Sequence, residues 1–217
     1  MTFPEQNSSH FKLHPSIALA LIAVFGTALL AAIHQFTQKD IELQKQRVMM
    51  EQLGQVLPPG EFDNDLHTDR IVITHGRFFP GDQQVDVFRA RMDGKPVAVI
   101  MKLVAKNGYN GDIGLLVGIR FEGQLAGVRV TSHRETPGLG DDIEVHRSDW
   151  ILSFEGRSLV SPAVRRWAVN RDGGEFDQFT GATITPRAVV DAVRFTLEYY
   201  RDHRELLFAQ SSESADQ

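Results

Sequence analysis

A chain of 217 residues, 42% hydrophobic and 24% charged, has the composition of a folded protein and not of a disordered one. Its net charge of -5 offers no basic footprint, which excludes nucleic acid as a partner. With no cysteine, it can form no disulfide, ligate no iron–sulfur cluster and run no thiol chemistry.

After a short segment over 1–13, no charged residue occurs between Lys12 and Lys39, and the middle reads "IALALIAVFGTALLAAI" from Ile17 to Ile33. An apolar stretch of about 20 residues is what a helix needs to cross a bilayer core, so 14–37 is expected to be a transmembrane anchor. A cleaved signal peptide is the alternative, with "LLAAIHQ" as a weak cleavage site. A core helix fits less well, because no polar stripe interrupts the run. Lys12 lies before the span and Lys39, Lys45 and Arg47 after it, mixed with Asp40 and Glu42. By the positive-inside count alone, the large domain would face the cytoplasm.

Residues 38–60 place Ile41, Met49, Leu53 and Val56 at near-helical spacing before Pro58, Pro59 and Gly60. That predicts a juxtamembrane amphipathic helix and linker. From Arg70 to Ser132 the texture changes to short β-type runs: "RIVITH", "QVDVFRARM", "PVAVIMKLV", "GLLVGIRF" and "LAGVRVTS". "DGK" at Asp93 to Lys95 predicts a hairpin turn, as does "EGQ" further on. Four or five strands with tight turns predict a largely antiparallel sheet. "DWILSFEGRSL" is short and mixed. A helix is expected from Pro186 to about Leu207, with Thr185 as its N-cap and Val189, Val193, Leu197 and Tyr200 on one face. The tail over 209–217 is polar and expected to be disordered. The fold class is therefore α+β: an N-terminal helix, then one domain over 61–208 with a mainly antiparallel sheet and flanking helices.

Eight histidines, among them His67, His75, His133 and His146, show no metal-ligand spacing, and surface or structural roles are the default. No G-x-S-x-G, P-loop or dinucleotide fingerprint is present. Two segments remain. "HRETPGLGDDIE", His133 to Glu144, packs Thr136, Pro137, Gly138 and Gly140 into a sharp loop whose backbone a flat ligand could approach. "DQFTGATITPRAVVDAV", Asp177 to Val193, puts Thr183 just ahead of a helix N-terminus, where a phosphate would be stabilised without a basic residue. No base lies near Thr183 in sequence, so self-catalysed chemistry there is not expected. The residues alone leave open a binding or scaffold module and a threonine-nucleophile hydrolase.

"DQFTGAT", Asp177 to Thr183, resembles the Asp-x-x-Ser/Thr-Gly-Ala-Thr signature of domains that bear covalent flavin mononucleotide (FMN). "ETPGLGD" at Glu135 to Asp141, "GYNGDIGLLVGI" and "RDGGEFDQFTGATITP" are similar to further segments of those domains. The likeness runs from the anchor to the final helix. It is greatest to the family of G subunits of the Rnf (Rsx) electron-transport complex. The related C subunits of sodium-translocating NADH:quinone oxidoreductase share the motif in a longer chain and stand as the alternative.

The resemblance implies a phosphoester between FMN and Thr183, installed by a flavin transferase that uses FAD. It assigns Asp177, Thr180, Gly181 and Ala182 to the recognition frame. Glu135, Thr136, Pro137, Gly138, Leu139 and Gly140 are implied to lie near the flavin ring. It further implies an electron-carrier subunit among other membrane and iron–sulfur subunits, with redox activity belonging to the complex. Coupling would be to ion translocation or to reduction of a redox sensor. The flavin domain would lie on the periplasmic side of a bacterial inner membrane, against the charge count. One departure is Asp142, where the family often has a basic residue.

Overall fold

The structure, a computed structural model, describes residues 15–209. The short segment 1–13, the first residue of the expected anchor and the tail from 210 onward lie outside the described residues. Two compact units divide the chain, Met1–Met49 and Met50–Gln217.

In the first unit the described residues belong to one helix, α1 (Pro15–Val56). The sequence suggested an anchor followed by a separate amphipathic helix, but nothing between them breaks the backbone. No proline occurs between Pro15 and Pro58, and Gly26 and Gly54 are isolated. Ile17, Leu19, Ile22, Val24, Phe25, Leu29 and Leu30 are all at least 51% exposed. Among the described residues no helix is long and apolar enough to cross a membrane. Side chains at 18, 21, 33 and 36 are not among those described.

The second unit is built on a five-stranded sheet, β1 (Arg70–Thr74), β2 (Gln84–Met92), β3 (Lys95–Gly108), β4 (Gly111–Arg120) and β5 (Leu125–Ser132). The strands lie in sequence order and every neighbouring pair is antiparallel. Asp93 and Gly94 both take positive φ (51° and 72°), the backbone that a two-residue hairpin turn between β2 and β3 demands.

Both faces of this sheet are buried. On one lie Val85, Val87, Val99, Met101, Leu103, Ile113, Leu115 and Val117, in a cluster with Val189, Val193, Leu197 and Tyr200 of helix α2 (Ile184–Ala209). On the other, the end of α1 lies over β4 and β5. A side chain at Gly118 would run into Val56, and one at Gly127 would stand 3.1 Å from the Val56 carbonyl. Leu53, Val56, Leu57 and Leu66 are at most 1% exposed. Burial of seven consecutive residues, Ile113 to Ile119, explains why β4 lacks the alternation of a half-exposed strand.

The section between β5 and α2 carries short 3₁₀ turns at Asp141–Ile143, Asp149–Phe154, Val164–Arg166 and Asn170–Asp172. The mixed "DWILSFEGRSL" segment opens with the second of these. Its Phe154 stacks on Phe176, with ring centroids 4.6 Å apart, beside Trp167. These aromatic contacts tie an otherwise irregular stretch to the core.

Helix α2 is also fixed at its far end. Arg89, 2% exposed, donates from Nη1 to the Leu207 carbonyl (3.3 Å), and Arg91 donates from Nη2 to the Phe208 carbonyl (3.3 Å). Both arginines are ion-paired with Asp69. Cations at a helix C-terminus complement the last carbonyls and the dipole.

Burial pushes the Tyr199 and Tyr200 hydroxyls above the ordinary tyrosine range. The Tyr200 hydroxyl donates to the Phe121 carbonyl (3.0 Å). The unfolded chain releases these protons near pH 10 while the folded chain keeps them, so this stabilisation is full below that pH and is lost as pH rises through the folded value. Tyr200→Phe is expected to lower stability at pH 7 by about 1 kcal/mol through the lost hydrogen bond. It should also flatten the alkaline limb, as read by urea titrations between pH 7 and pH 11.

Candidate functional site

The glycine–threonine stretch is seated by the segment before it. The Asn170 amide donates to the Phe176 carbonyl (2.7 Å), and the Asn170 side chain donates to Asp177 Oδ1 (2.6 Å). The Trp150 indole N–H donates to the Asp177 carbonyl (2.8 Å), and its ring lies 5.2 Å from that of Phe179. The chain then reverses: Ala182 N–H donates to the Phe179 carbonyl (3.1 Å) across Thr180 and Gly181. Gly181 has φ 82°, a backbone at the third turn position that favours glycine.

The two threonines that follow have different partners. Helix α2 begins at Ile184, and the Thr183 carbonyl accepts the Arg187 N–H (3.3 Å). Thr183 is therefore the residue flanking the helix, and Thr185, expected as the N-cap, lies inside the first turn. Thr185 is fully buried, and its hydroxyl donates to Glu135 Oε2 in a short hydrogen bond. Thr183 is half-buried, and among the described residues its hydroxyl has no hydrogen-bond partner.

The Pro-Gly loop comes in from the end of β5. The Thr136 carbonyl accepts the N–H groups of Leu139 (3.1 Å) and Gly140 (3.0 Å). Gly138 has φ 75°, and its N–H donates to Oδ1 of Asp141 (2.6 Å), a carboxylate only 4% exposed. Asn110, on the β3–β4 turn, donates from Nδ2 to the Thr136 hydroxyl (3.2 Å). Glu135, 5% exposed, accepts the Asn110 N–H at Oε1 (3.0 Å). Three segments distant in sequence thus meet at one place.

Between them is a cavity of about 690 Å³. Thr183, Gly181, Ala182, Glu135, Thr136, Leu139 and Gly140 all line it. Asp177, Thr180, Pro137 and Gly138 do not, and they bear on it by shaping the two loops. Asp142 is not in the lining either. Its carbonyl accepts the Ser148 hydroxyl (3.0 Å).

Four lining residues had no assigned role from the sequence: Tyr109, Arg171, Ile184 and Arg187. Arg187 sits four residues after Thr183, one helical turn along the same face, and that spacing could have flagged it. Arg171 reaches the cavity through the fold of the 164–176 segment, for which there is no local signal. The two arginines revise the expectation that a phosphate here would have only the helix N-terminus. Arg187 forks onto Asp172 at 2.6 and 2.9 Å. That hydrogen-bonded pairing holds the Asp172 carboxyl below its usual range and raises the guanidinium, but exposure makes the pair a minor contributor to stability. Tyr109, Leu139 and Ile184 are 66%, 45% and 45% exposed, so the cavity has apolar surface at its rim. Among the described residues no group of three histidine or acidic side chains could hold a metal ion.

In comparison with known proteins, residues 108–198 match the family model of the FMN-binding domain, which spans both loops and the start of α2. Residues 13–56 match the model of the RnfG N-terminal region. The chain is 42% identical over 201 residues to a protein of Pseudoalteromonas atlantica, covering 93% of this chain and 94% of the relative. It is 43% identical over 194 residues to one of Shewanella oneidensis (89% and 92% covered). It is also 43% identical over 197 residues to one of Pseudomonas aeruginosa (91% and 92% covered). Each of these three relatives is named as the G subunit of an ion-translocating oxidoreductase complex.

Proposed function

We propose that this chain, which belongs to the family of G subunits of ion-translocating oxidoreductase complexes and contains an FMN-binding domain, is a membrane-anchored electron carrier with FMN joined to Thr183. The observation that carries this is the single cavity shared by the Pro-Gly loop and Thr183, whose hydroxyl is engaged by no other described residue.

The residues present fit the group. The cavity volume falls within the range of about 300–1,000 Å³ typical of cofactor sites. Its apolar rim suits a flat ring, and the N-terminus of α2 with Arg171 and Arg187 suits a phosphate. A side chain at Gly140 would press on Glu135 Oε2 at 3.0 Å and on the Thr185 hydroxyl at 3.1 Å, so glycine keeps that wall thin.

Attachment calls for a partner enzyme, because among the described residues no base hydrogen-bonds the Thr183 hydroxyl. In a transfer from FAD, the Thr183 Oγ–P bond forms and the pyrophosphate P–O bond to AMP breaks. AMP leaves, and the hydroxyl proton passes to a base of the transferase. When bound, the flavin accepts and donates electrons, while the protein fixes its position and tunes its potential. As a member of a multi-subunit complex, the chain passes electrons between neighbouring membrane and iron–sulfur subunits, in support of ion translocation.

The exposed apolar residues of α1 and the charge-free run between Lys12 and Lys39 favour a membrane anchor over 14–37. The periplasmic side of an inner membrane is assigned to the flavin domain from the family resemblance, against the charge count. The test uses the full chain expressed with and without a flavin transferase. A flavin-fluorescent band on a denaturing gel is expected only with the transferase, and its absence would overturn the proposal. In the same cells the band is expected in an alkaline-resistant membrane pellet, and recovery in the supernatant would contradict anchoring.

A further inference from the structure

The geometry points to Glu135 as a positioning residue that sets the direction in which Thr183 offers its hydroxyl. This rests on the proposal that Thr183 carries the flavin. Glu135 is 5% exposed, in the wall of the cavity, and each carboxylate oxygen has its own partner. Oε1 takes the Asn110 N–H of the β3–β4 turn, and Oε2 takes the Thr185 hydroxyl of α2.

The surroundings are cleared for this carboxylate. A Cβ at Gly108 would come within 2.9 Å of Oε1, and one at Gly140 within 3.0 Å of Oε2. Its own backbone is tethered as well. The Glu135 N–H donates to His133 Nδ1 (3.0 Å), and His133 Nε2 lies 2.7 Å from Glu144 Oε1. The acceptor group therefore has little freedom to move.

What it grips is the first turn of α2. Thr185 is two residues beyond Thr183, which flanks the helix and is tied to its first turn by the Arg187 N–H on the Thr183 carbonyl (3.3 Å). Fixing the Thr185 hydroxyl fixes the rotation of the turn about its axis, and with it the Thr183 position at the cavity edge. A carboxylate is suited to this place, because the helix N-terminus favours an anion and both of its partners are donors. Bond formation at the Thr183 oxygen depends on alignment with the incoming phosphorus, and misplacement by an ångström slows such steps by orders of magnitude.

The experiment measures the rate of flavin attachment to the full chain by purified transferase and FAD, alongside thermal unfolding of the flavin-free chain. Thr185→Val keeps the volume and removes the donor, and it is expected to slow attachment about ten-fold or more. Thr185→Ser returns a hydroxyl and is expected to recover the rate to within about two-fold. Glu135→Ala, which also releases the Asn110 N–H, is expected to slow attachment at least as much. Adding Thr185→Val to it should slow it no further, because the Thr185 hydroxyl has already lost its acceptor.

A Thr185→Val chain that takes flavin at the wild-type rate would overturn the inference, even if it melts at a lower temperature. So would additive losses in the double variant. If Glu135→Ala does not fold, the comparison of valine with serine at 185 still decides. A wild-type chain that accepts no flavin would instead overturn the underlying assignment of Thr183.

Discussion

Thr183→Ala is expected to abolish the flavin-fluorescent band while changing folding stability by no more than about 0.5 kcal/mol. The two halves of that expectation come from one observation. Among the described residues the Thr183 hydroxyl has no hydrogen-bond partner, so its removal breaks no hydrogen bond among them. Its carbonyl, which accepts the Arg187 N–H at 3.3 Å, stays in place. A capping threonine whose hydroxyl bonds the helix would cost about 1 kcal/mol on removal. Here that cost is not incurred, and the only chemistry lost is the oxygen that would bond to phosphorus. Thr183→Ser keeps that oxygen and is expected to keep the band. Gel fluorescence and urea denaturation of the same three proteins check both halves. A band in the alanine variant would place the flavin elsewhere.

The largest expected effect on the fold is at Gly174. A Cβ there would overlap the Ala168 carbonyl group, and the neighbours it meets are backbone atoms that cannot rotate away. The same carbonyl accepts the N–H groups of Glu175 (3.0 Å) and Phe176 (3.2 Å), while the Gly174 N–H is committed to the Val169 carbonyl (3.0 Å). Relief by a local shift would break these backbone hydrogen bonds, which seat Phe176 in the aromatic cluster just ahead of Asp177. Gly174→Ala is expected to destabilise the domain by about 3 kcal/mol or more. Flavin attachment should fall with it, although residue 174 does not line the cavity. Urea denaturation within about 0.5 kcal/mol of wild type would contradict this account of the segment.

What was legible in the sequence follows the range of the forces concerned. The β2–β3 hairpin was legible because Asp93-Gly94 is local chemistry, and the helix face of Val189, Val193, Leu197 and Tyr200 because its period is local too. The antiparallel meander followed from short strands with tight turns. That both faces of the sheet are covered did not follow. It depends on Val56 approaching Gly118, 62 positions apart in number, and glycine at 118 carries no such message by itself.

The assignment of Thr185 as helix cap failed because a buried acceptor 50 residues away claims its hydroxyl. Local preference for threonine at a cap gave way to a tertiary contact, and Thr183 took the flanking position. The meeting of the Pro-Gly loop with Thr183 was visible only through family resemblance, since no periodicity links residues 135–140 to 183. Arg171 and Tyr109 were not legible at all as cavity residues. Each is brought there by loops whose course is set by distant packing.

The central claim, FMN on Thr183, is tested most directly by tandem mass spectrometry of the full chain purified from cells with an active flavin transferase. Digestion should yield a peptide spanning Asp177 to Arg187 that carries FMN less one water, with fragment ions placing the addition on Thr183. Flavin that is released intact when the chain is denatured, or an addition localised to Thr180 or Thr185, would contradict it.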